Sequence, residues 1–354
     1  MSEELNRFDK WLVGGDGPAA LVIREFLMPV EGHDAPVFPA TFAAGDGFQG
    51  GYNIDPPPAR DEPCKTPNVC LIDSVGSQAN RIEPIFAEER YNSLIPQIVV
   101  EAGEKQVNLL EAGHRAGDAL VRCSELQDEL HQAFRSLQAG DAEPLAKVAP
   151  TSLVFGAWDS RDTQAKLPRL IASVIRAFDV RKLTRGAVYI PPVDYAELDV
   201  FTEAEKEKAE GSSKSPLAQR GFVHSPASAS HGGVIATGGI RRDATLSLAA
   251  LQLLKACDDE RTLALRRYVL GLSLVALTAE TSCYLRQGCN LVLDPDKPRE
   301  FQKVYRDGRR EPATVSHDDA LGFAAEAAKA FGPGESRTVK FDKAKAKADV
   351  KKKD

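Results

Sequence analysis

The sequence predicts an α+β fold. Strand-like and helix-like segments interleave along the chain, two long excursions interrupt them, and no internal repeat is present. A regular doubly wound sheet would require evenly spaced strand–helix units, so a domain with projecting arms fits better. The 354 residues are enough to bury a substantial core, in one elaborated domain or two.

Residues 19–30, AALVIREFLMPV, read as the first strand, an apolar run with β-branched residues. Residues 31–68 are crowded with Gly and Pro and too long for a plain turn; Phe38, Phe42, Phe48 and Tyr52 suggest a partly ordered hairpin. The apolar run 69–72 then leads into DSVGSQANRIEP (73–84). On helical spacing, Val75, Ala79, Ile82 and Phe86 form a core stripe. Ser74, Ser77, Gln78 and Arg81 form a second stripe with no acid in it. Asp73 or Ser74 would cap this helix, and Pro84 would kink or end it. Donor-rich groups at a helix N-terminus suit an anion, most simply a phosphate. A solvated face with an ordinary cap is the alternative.

Residues 97–101 and 106–110 read as short strands, 118–139 as a helix stopped by Gly140, and TSLVFGAW (151–158) as a strand. LPRLIASVIRAF (167–178) is predicted helical, with Leu167, Leu170, Ile171, Val174, Ile175 and Phe178 on its stripe and Pro168 in its first turn. Lys166 and Arg169 start it, off the stripe, where cations oppose the helix dipole; that mismatch hints at an external anion. GAVYIPPV is a further strand, and 196–231 reads as a mobile, small-polar excursion. GVIATGGI regains strand character. Gly238, Gly239, Arg241 and Arg242 then precede a predicted helix, as a phosphate contact or as a plain turn with solvated arginines. Helices follow at about 244–257 and 259–278, then a strand at CNLVLD and a hairpin turning at Asp307-Gly308. Ser316 and Asp319 form a capping box before a helix to about 330, and the lysine-rich end is predicted disordered.

Composition narrows the function. No apolar run approaches a membrane span, and MSEELNRFDKWL lacks a signal-peptide core, which predicts a cytoplasmic protein. The six cysteines (64, 70, 123, 257, 283, 289) form no CxxC pair and read as reduced thiols. Net charge is −6, yet residues 1–150 hold 12 Lys+Arg against 24 Asp+Glu, and 151–354 hold 33 against 27. A nucleic-acid site must therefore be a local groove built largely from the second half. P-loop, GxSxG and HExxH motifs are absent, and HGGVIATGGI is not GxGxxG. No cofactor and no enzyme are predicted, although His33, His224 and His231 lie in loops and could act as acid or base near RNA.

DSVGSQANRIEP, TSLVFGAWDSR with KLPRLIASVIRAFDV, GGVIATGGIRRDATLSLAALQLL and LRRYVLGLSLVALT, in this order, resemble one family. It is the backbone subunit of type I-G (formerly I-U) CRISPR surveillance complexes, of the Cas-seven branch of the RAMP superfamily. The resemblance covers most of residues 10–330. It implies a modified RNA-recognition fold, a ferredoxin-like palm, with a finger-like insertion at 31–68 and a thumb-like one at 195–232. Residues 1–335 would form one elaborated domain, and 336–354 a tail outside the resemblance.

Several copies would line up head to tail along one CRISPR RNA, binding without catalysis. Mapped onto this chain, Ser74, Ser77, Gln78, Asn80 and Arg81 would contact the RNA backbone, and Gly238, Gly239, Arg241 and Arg242 would supply a second contact. Lys166 and Arg169 are a third. Phe222 and Val223 are expected at an apolar thumb tip that kinks the RNA. The implied partners are CRISPR RNA, target DNA paired with it, further copies of the chain, a large subunit, a subunit binding the RNA end, and a helicase-nuclease, all in a prokaryotic cytoplasm. The acidic first half would pack on the basic half of the next copy. The rivals are a RAMP ribonuclease using those loop histidines, Asp34 or Asp46, and a protein-only scaffold.

Overall fold

The computed structural model describes residues 3–55, 67–160, 162–280 and 282–351. Helical turns α1 (Glu3–Asn6) and α2 (Asp9–Leu12) lead into strand β1 (Ala20–Pro29). β1 buries Leu21, Ile23 and Glu25 and leaves Val22, Arg24 and Phe26 half-exposed, the two-residue period of a strand covered on one face. The Gly/Pro-rich stretch forms a small hairpin, β2 (Thr41–Phe42) with β3 (Gly51–Tyr52), followed by β4 (Ile54–Asp55). The rest of that stretch, 56–66 with Cys64, lies outside the described residues. β5 (Val69–Asp73) enters α3 (Val75–Ile82), whose N-cap is Ser74: its hydroxyl accepts from the Ser77 N–H at 3.2 Å. Pro84 sits in a 3₁₀ turn, Glu83–Ala87, that follows the helix directly.

The two short strands expected at 97–101 and 106–110 are β6 (Ile98–Ala102) and β7 (Lys105–Asn108), and they pair with each other as an antiparallel hairpin. The helix predicted at 118–139 is two, α4 (Ala119–Arg122) and α5 (Gln127–Gln138). Ser124 makes the break, donating to the Val121 carbonyl and accepting from the Leu126 N–H. α6 (Glu143–Val148) follows.

Two predictions fail next. TSLVFGAW is not a strand: α7 (Pro150–Phe155) takes most of it, and only β8 (Ala157–Trp158) is extended, paired with β9 (Lys166–Leu167). LPRLIASVIRAF is not a helix. It contains β10 (Ile171–Phe178), which pairs with a strand on each side. The segment fits both periods, and ladder pairing on two edges overrides the helical one. Lys166 and Arg169 therefore start no helix, and the dipole mismatch that singled them out does not exist.

β11 (Val180–Tyr189) and β12 (Ser225–Ala236) form a two-stranded arm. The excursion between them holds α8 (Glu203–Ala209), started by a Thr202/Glu205 capping box, and α9 (Pro216–Gln219), around a small core of Ala209, Ala218 and Val223. β13 (Ile240–Ser247) follows, so Arg241 and Arg242 lie on a strand rather than before a helix. Of the helix predicted at 244–257, only α10 (Leu248–Leu251) forms. α11 (Asp259–Thr278) is buried from Leu265 to Leu277 except at Arg266. β14 (Tyr284–Arg286), β15 (Cys289–Leu293), β16 (Glu300–Val304) and β17 (Arg310–Pro312) precede α12 (His317–Phe331), which opens on the predicted Ser316/Asp319 box. The end predicted disordered instead adds β18 (Arg337–Lys340), parallel to β6, and α13 (Lys343–Lys351).

The fold is α+β. Its main sheet runs β14-β15-β1-β13-β10-β5-β4, with β16 also on β1 and β17 on β16. Leu21, Ile23, Ala244, Leu246 and Ile171 line one face and share a core with α11 and α12. No described helix is long and apolar enough to cross a membrane. Gly271 lets α11 lie close on α12, since a Cβ there would stand 2.7 Å from the Ala324 Cα. Gly271→Val is expected to cost about 2–3 kcal/mol through overpacking, read as a lower urea midpoint at unchanged slope.

Candidate nucleic-acid interface

Strand β5 ends on Asp73, a fully buried carboxylate. It accepts from Gln78 Nε2 at 2.7 Å, Arg81 Nε at 3.2 Å and Arg286 Nη2 at 2.6 Å. The other end of the Gln78 amide accepts from the Ser173 hydroxyl at 2.9 Å, so Gln78 is buried and both its ends are used internally. The helix stripe has no acid because its acid stands at the helix foot. Gln78 therefore faces the sheet and is not a surface contact, whereas Arg81 keeps about a third of its side chain exposed. Asn80 accepts from Arg115, whose guanidinium also meets Glu83 at 2.6 Å and the Gly156 carbonyl at 3.2 Å. Burial pushes Glu83 up to about 7 against the pull of Arg115.

The first turn of α3 is different. The Ser74 and Ser77 hydroxyls lie 3.1 Å apart, and Gly76 between them carries no side chain. The Arg169 Nη2 stands 3.9 Å from where a Gly76 Cβ would be. Gly156 admits the arginine stem: a Cβ there would sit 2.9 Å from Arg169 Cγ, at a φ of +78°. Partial burial and the nearby Arg115 hold the Arg169 pKa below its usual value. A helix N-terminus, two hydroxyls and a guanidinium thus converge, and that set attracts an anion. Lys166 places its ammonium 5.5 Å from the ring centre of Trp158, whose side chain is exposed. Sequence reasoning missed Trp158; the available signal was a tryptophan directly after Gly156-Ala157 in a segment already singled out.

The glycine–arginine segment divides by strand parity. Gly238 closes the β12–β13 turn against Phe178 and Asp179, where a Cβ would meet atoms at 2.9 Å, and Gly239 has a φ of +85°. Arg242 points to the helix-covered face and is buried in an ion pair with Glu25, which also holds Arg299 at 2.9 Å. It is unavailable to a phosphate. Arg241 points to the other face, 3.0 Å from Asp243 and 4.8 Å above the Phe178 ring. Lys297 lies 5.5 Å over Phe26 on that same face. The expected thumb tip is also corrected. Val223 is in the core of its small lobe, and Phe222 packs edge-on against Tyr195 at 5.0 Å. The exposed large apolar side chains there are Val188, Tyr189, Ile190, Val193, Leu198 and Val200.

His231 packs edge-on to Tyr52 at 4.8 Å, while Asp34 and Asp46 are exposed. Among the described residues, His33, Asp294 and Asp296 are the group whose possible metal-ligating atoms all lie within 4.8 Å of one another. The Lys297 ammonium, 3.5 Å from Asp294, already answers that buried carboxylate.

A family model described as CRISPR-associated protein GSU0053 matches residues 21–182. The match covers somewhat under half the chain. It takes in β1, α3, Trp158 and Arg169, and leaves 238–242 and α11 outside. No curated protein matches the chain.

The geometry makes Asp73 the anchor of α3. Asp73→Asn is expected to cost about 3 kcal/mol, because a buried charge network loses its centre. Denaturant unfolding checks the magnitude, and faster amide exchange across α3 checks the location.

Proposed function

We propose that the chain is a non-catalytic RNA-binding subunit of a CRISPR surveillance complex, several copies of which line up along one CRISPR RNA. The observation that carries this reading is the cradle at the first turn of α3, where the Ser74 and Ser77 hydroxyls and the Arg169 guanidinium surround Gly76 while the one adjacent acid, Asp73, is buried and answered by Gln78, Arg81 and Arg286. Such a site binds phosphates and reads no bases, as a carrier of variable guide sequences requires. The bases stay free to pair with target DNA, so pairing supplies the specificity.

Sheet order supports the same reading. With β1, β10, β13 and β16 taken as first to fourth, they lie fourth-first-third-second, every neighbour antiparallel. That is the arrangement of a βαββαβ RNA-recognition palm. The half-exposed Phe26 and Phe178, each with a cation over its ring, lie on the face that such palms turn to RNA. The excursion after β1 is then a finger and the arm with its lobe a thumb. The acidic first half and basic second half suit head-to-tail contact between copies, a heterologous interface that builds filaments. Type I-G subunits that hold the RNA end, the large subunit and a helicase-nuclease are the remaining partners.

The test is the 260/280 nm absorbance ratio of the purified protein, then sizing with and without CRISPR RNA. Bound RNA and a discrete ladder of assemblies are expected. The Lys166→Ala/Arg169→Ala variant should bind unrelated RNA sequences more weakly to a similar degree, and its log–log salt slope should fall by about 1.4. A protein that stays monomeric and ignores RNA would overturn the reading.

A further inference from the structure

We infer that Trp158 is a stacking platform for one RNA base beside the α3 cradle, an inference that rests on the RNA-binding reading above. A tryptophan 56% exposed forgoes most of the burial that its indole usually gains. Its backbone is nevertheless firmly held. Trp158 pairs with Lys166 across the β8–β9 ribbon. The next residue, Asp159, is buried; its N–H donates to the Ala165 carbonyl at 2.9 Å, and its carboxylate accepts from the Thr163 N–H at 2.8 Å and hydroxyl at 2.7 Å. Behind the ribbon, Gly117 approaches so closely that a Cβ would stand 2.9 Å from the Trp158 carbonyl oxygen.

The ring is thus presented outward by a fixed backbone, with its entropy cost of binding already reduced. Its surroundings select the occupant. Lys166 flanks the ring at 5.5 Å. Gly156, one extended dipeptide or about 7 Å away along the chain, carries the Arg169 stem toward Gly76 and the helix N-terminus. An apolar face next to an anion cradle matches a base next to its own phosphate. Stacking accepts any base, so this contact is compatible with guides of any sequence.

The experiment titrates a short oligouridylate into the full-length protein at low salt, following tryptophan emission and, separately, the anisotropy of labelled oligonucleotide. The chain has two tryptophans, and Trp11 packs against the core, so the variants Trp11→Phe, Trp158→Phe and Trp158→Leu assign the signal. Quenching is expected in the wild type and in Trp11→Phe, and none in Trp158→Phe. Affinity should fall about 5- to 150-fold in Trp158→Leu and less in Trp158→Phe, which keeps a stacking ring. Tight binding with unmoved emission, and equal affinity in Trp158→Leu, would overturn the stacking role and leave the RNA-binding reading standing. Absence of binding in every variant and in the wild type would overturn both.

Discussion

The placement of α3 depends on one buried charge. A carboxylate removed from water costs several kcal/mol unless donors replace its hydration. Asp73 is supplied by Gln78 and Arg81 from α3 and by Arg286 from β14, so the helix, the strand before it and an edge of the sheet meet at one point. The Ser173–Gln78 hydrogen bond extends the link to β10. With α3 fixed at that end, its first turn has one orientation, and the Gly76 Cβ position lies 3.9 Å from both the Arg169 Nη2 and the Ser74 hydroxyl. An anion site made of partial charges needs such fixing, because its attraction falls off within a helical turn.

The same accounting separates structural from available cations. Arg242 and Arg299 share Glu25, and Arg115 is held by Glu83, each partner acid being buried. Arg242 and Arg115, buried with their acids, have little left for a ligand, whereas Arg299 keeps part of its side chain exposed. Arg169, whose Nη2 stands 3.9 Å from the Gly76 Cβ position at the start of α3, is of the other kind. Adjacent arginines on one strand can belong to different kinds: Arg241 and Arg242 differ only in parity, and parity sends one to the open face and the other inward.

Local signals in the sequence were read well where one residue decides the geometry. The Ser74 cap, the Ser316/Asp319 box and the Asp307-Gly308 turn all depend on short-range chemistry. The segment 167–178 is ambiguous in sequence because Ile171, Val174, Ile175 and Phe178 satisfy a helical stripe while Ile171, Ser173, Ile175 and Ala177 satisfy a strand. Only partners distant in sequence, β5 and β13, decide between them. Arg169 was thus singled out for a dipole mismatch that does not exist, yet it stands near the N-terminus of a different helix. The burial of Gln78 was hidden for a similar reason, since its second partner, Ser173, is far away in the chain. Trp158 carried no periodic signal at all, because its ribbon is two residues long.

The two long excursions also depend on each other. A two-stranded ribbon is marginal alone in water, yet β11 and β12 extend from the sheet as one. The stretch after β1 braces its base. Val37 and Val234 exchange backbone hydrogen bonds of 2.9 and 2.8 Å, and the Gly233 N–H donates to the Tyr52 hydroxyl at 3.0 Å. Gly233, with a φ of +93°, permits the approach, since a Cβ would meet the Val37 carbonyl at 2.9 Å. Arg185 on the arm lies 5.6 Å from the Phe38 ring centre. This cation–π contact adds an attraction of about 0.5–2 kcal/mol to the backbone bracing. The arm is thus held at its base twice, by its chain connections to β10 and β13 and by the stretch that follows β1.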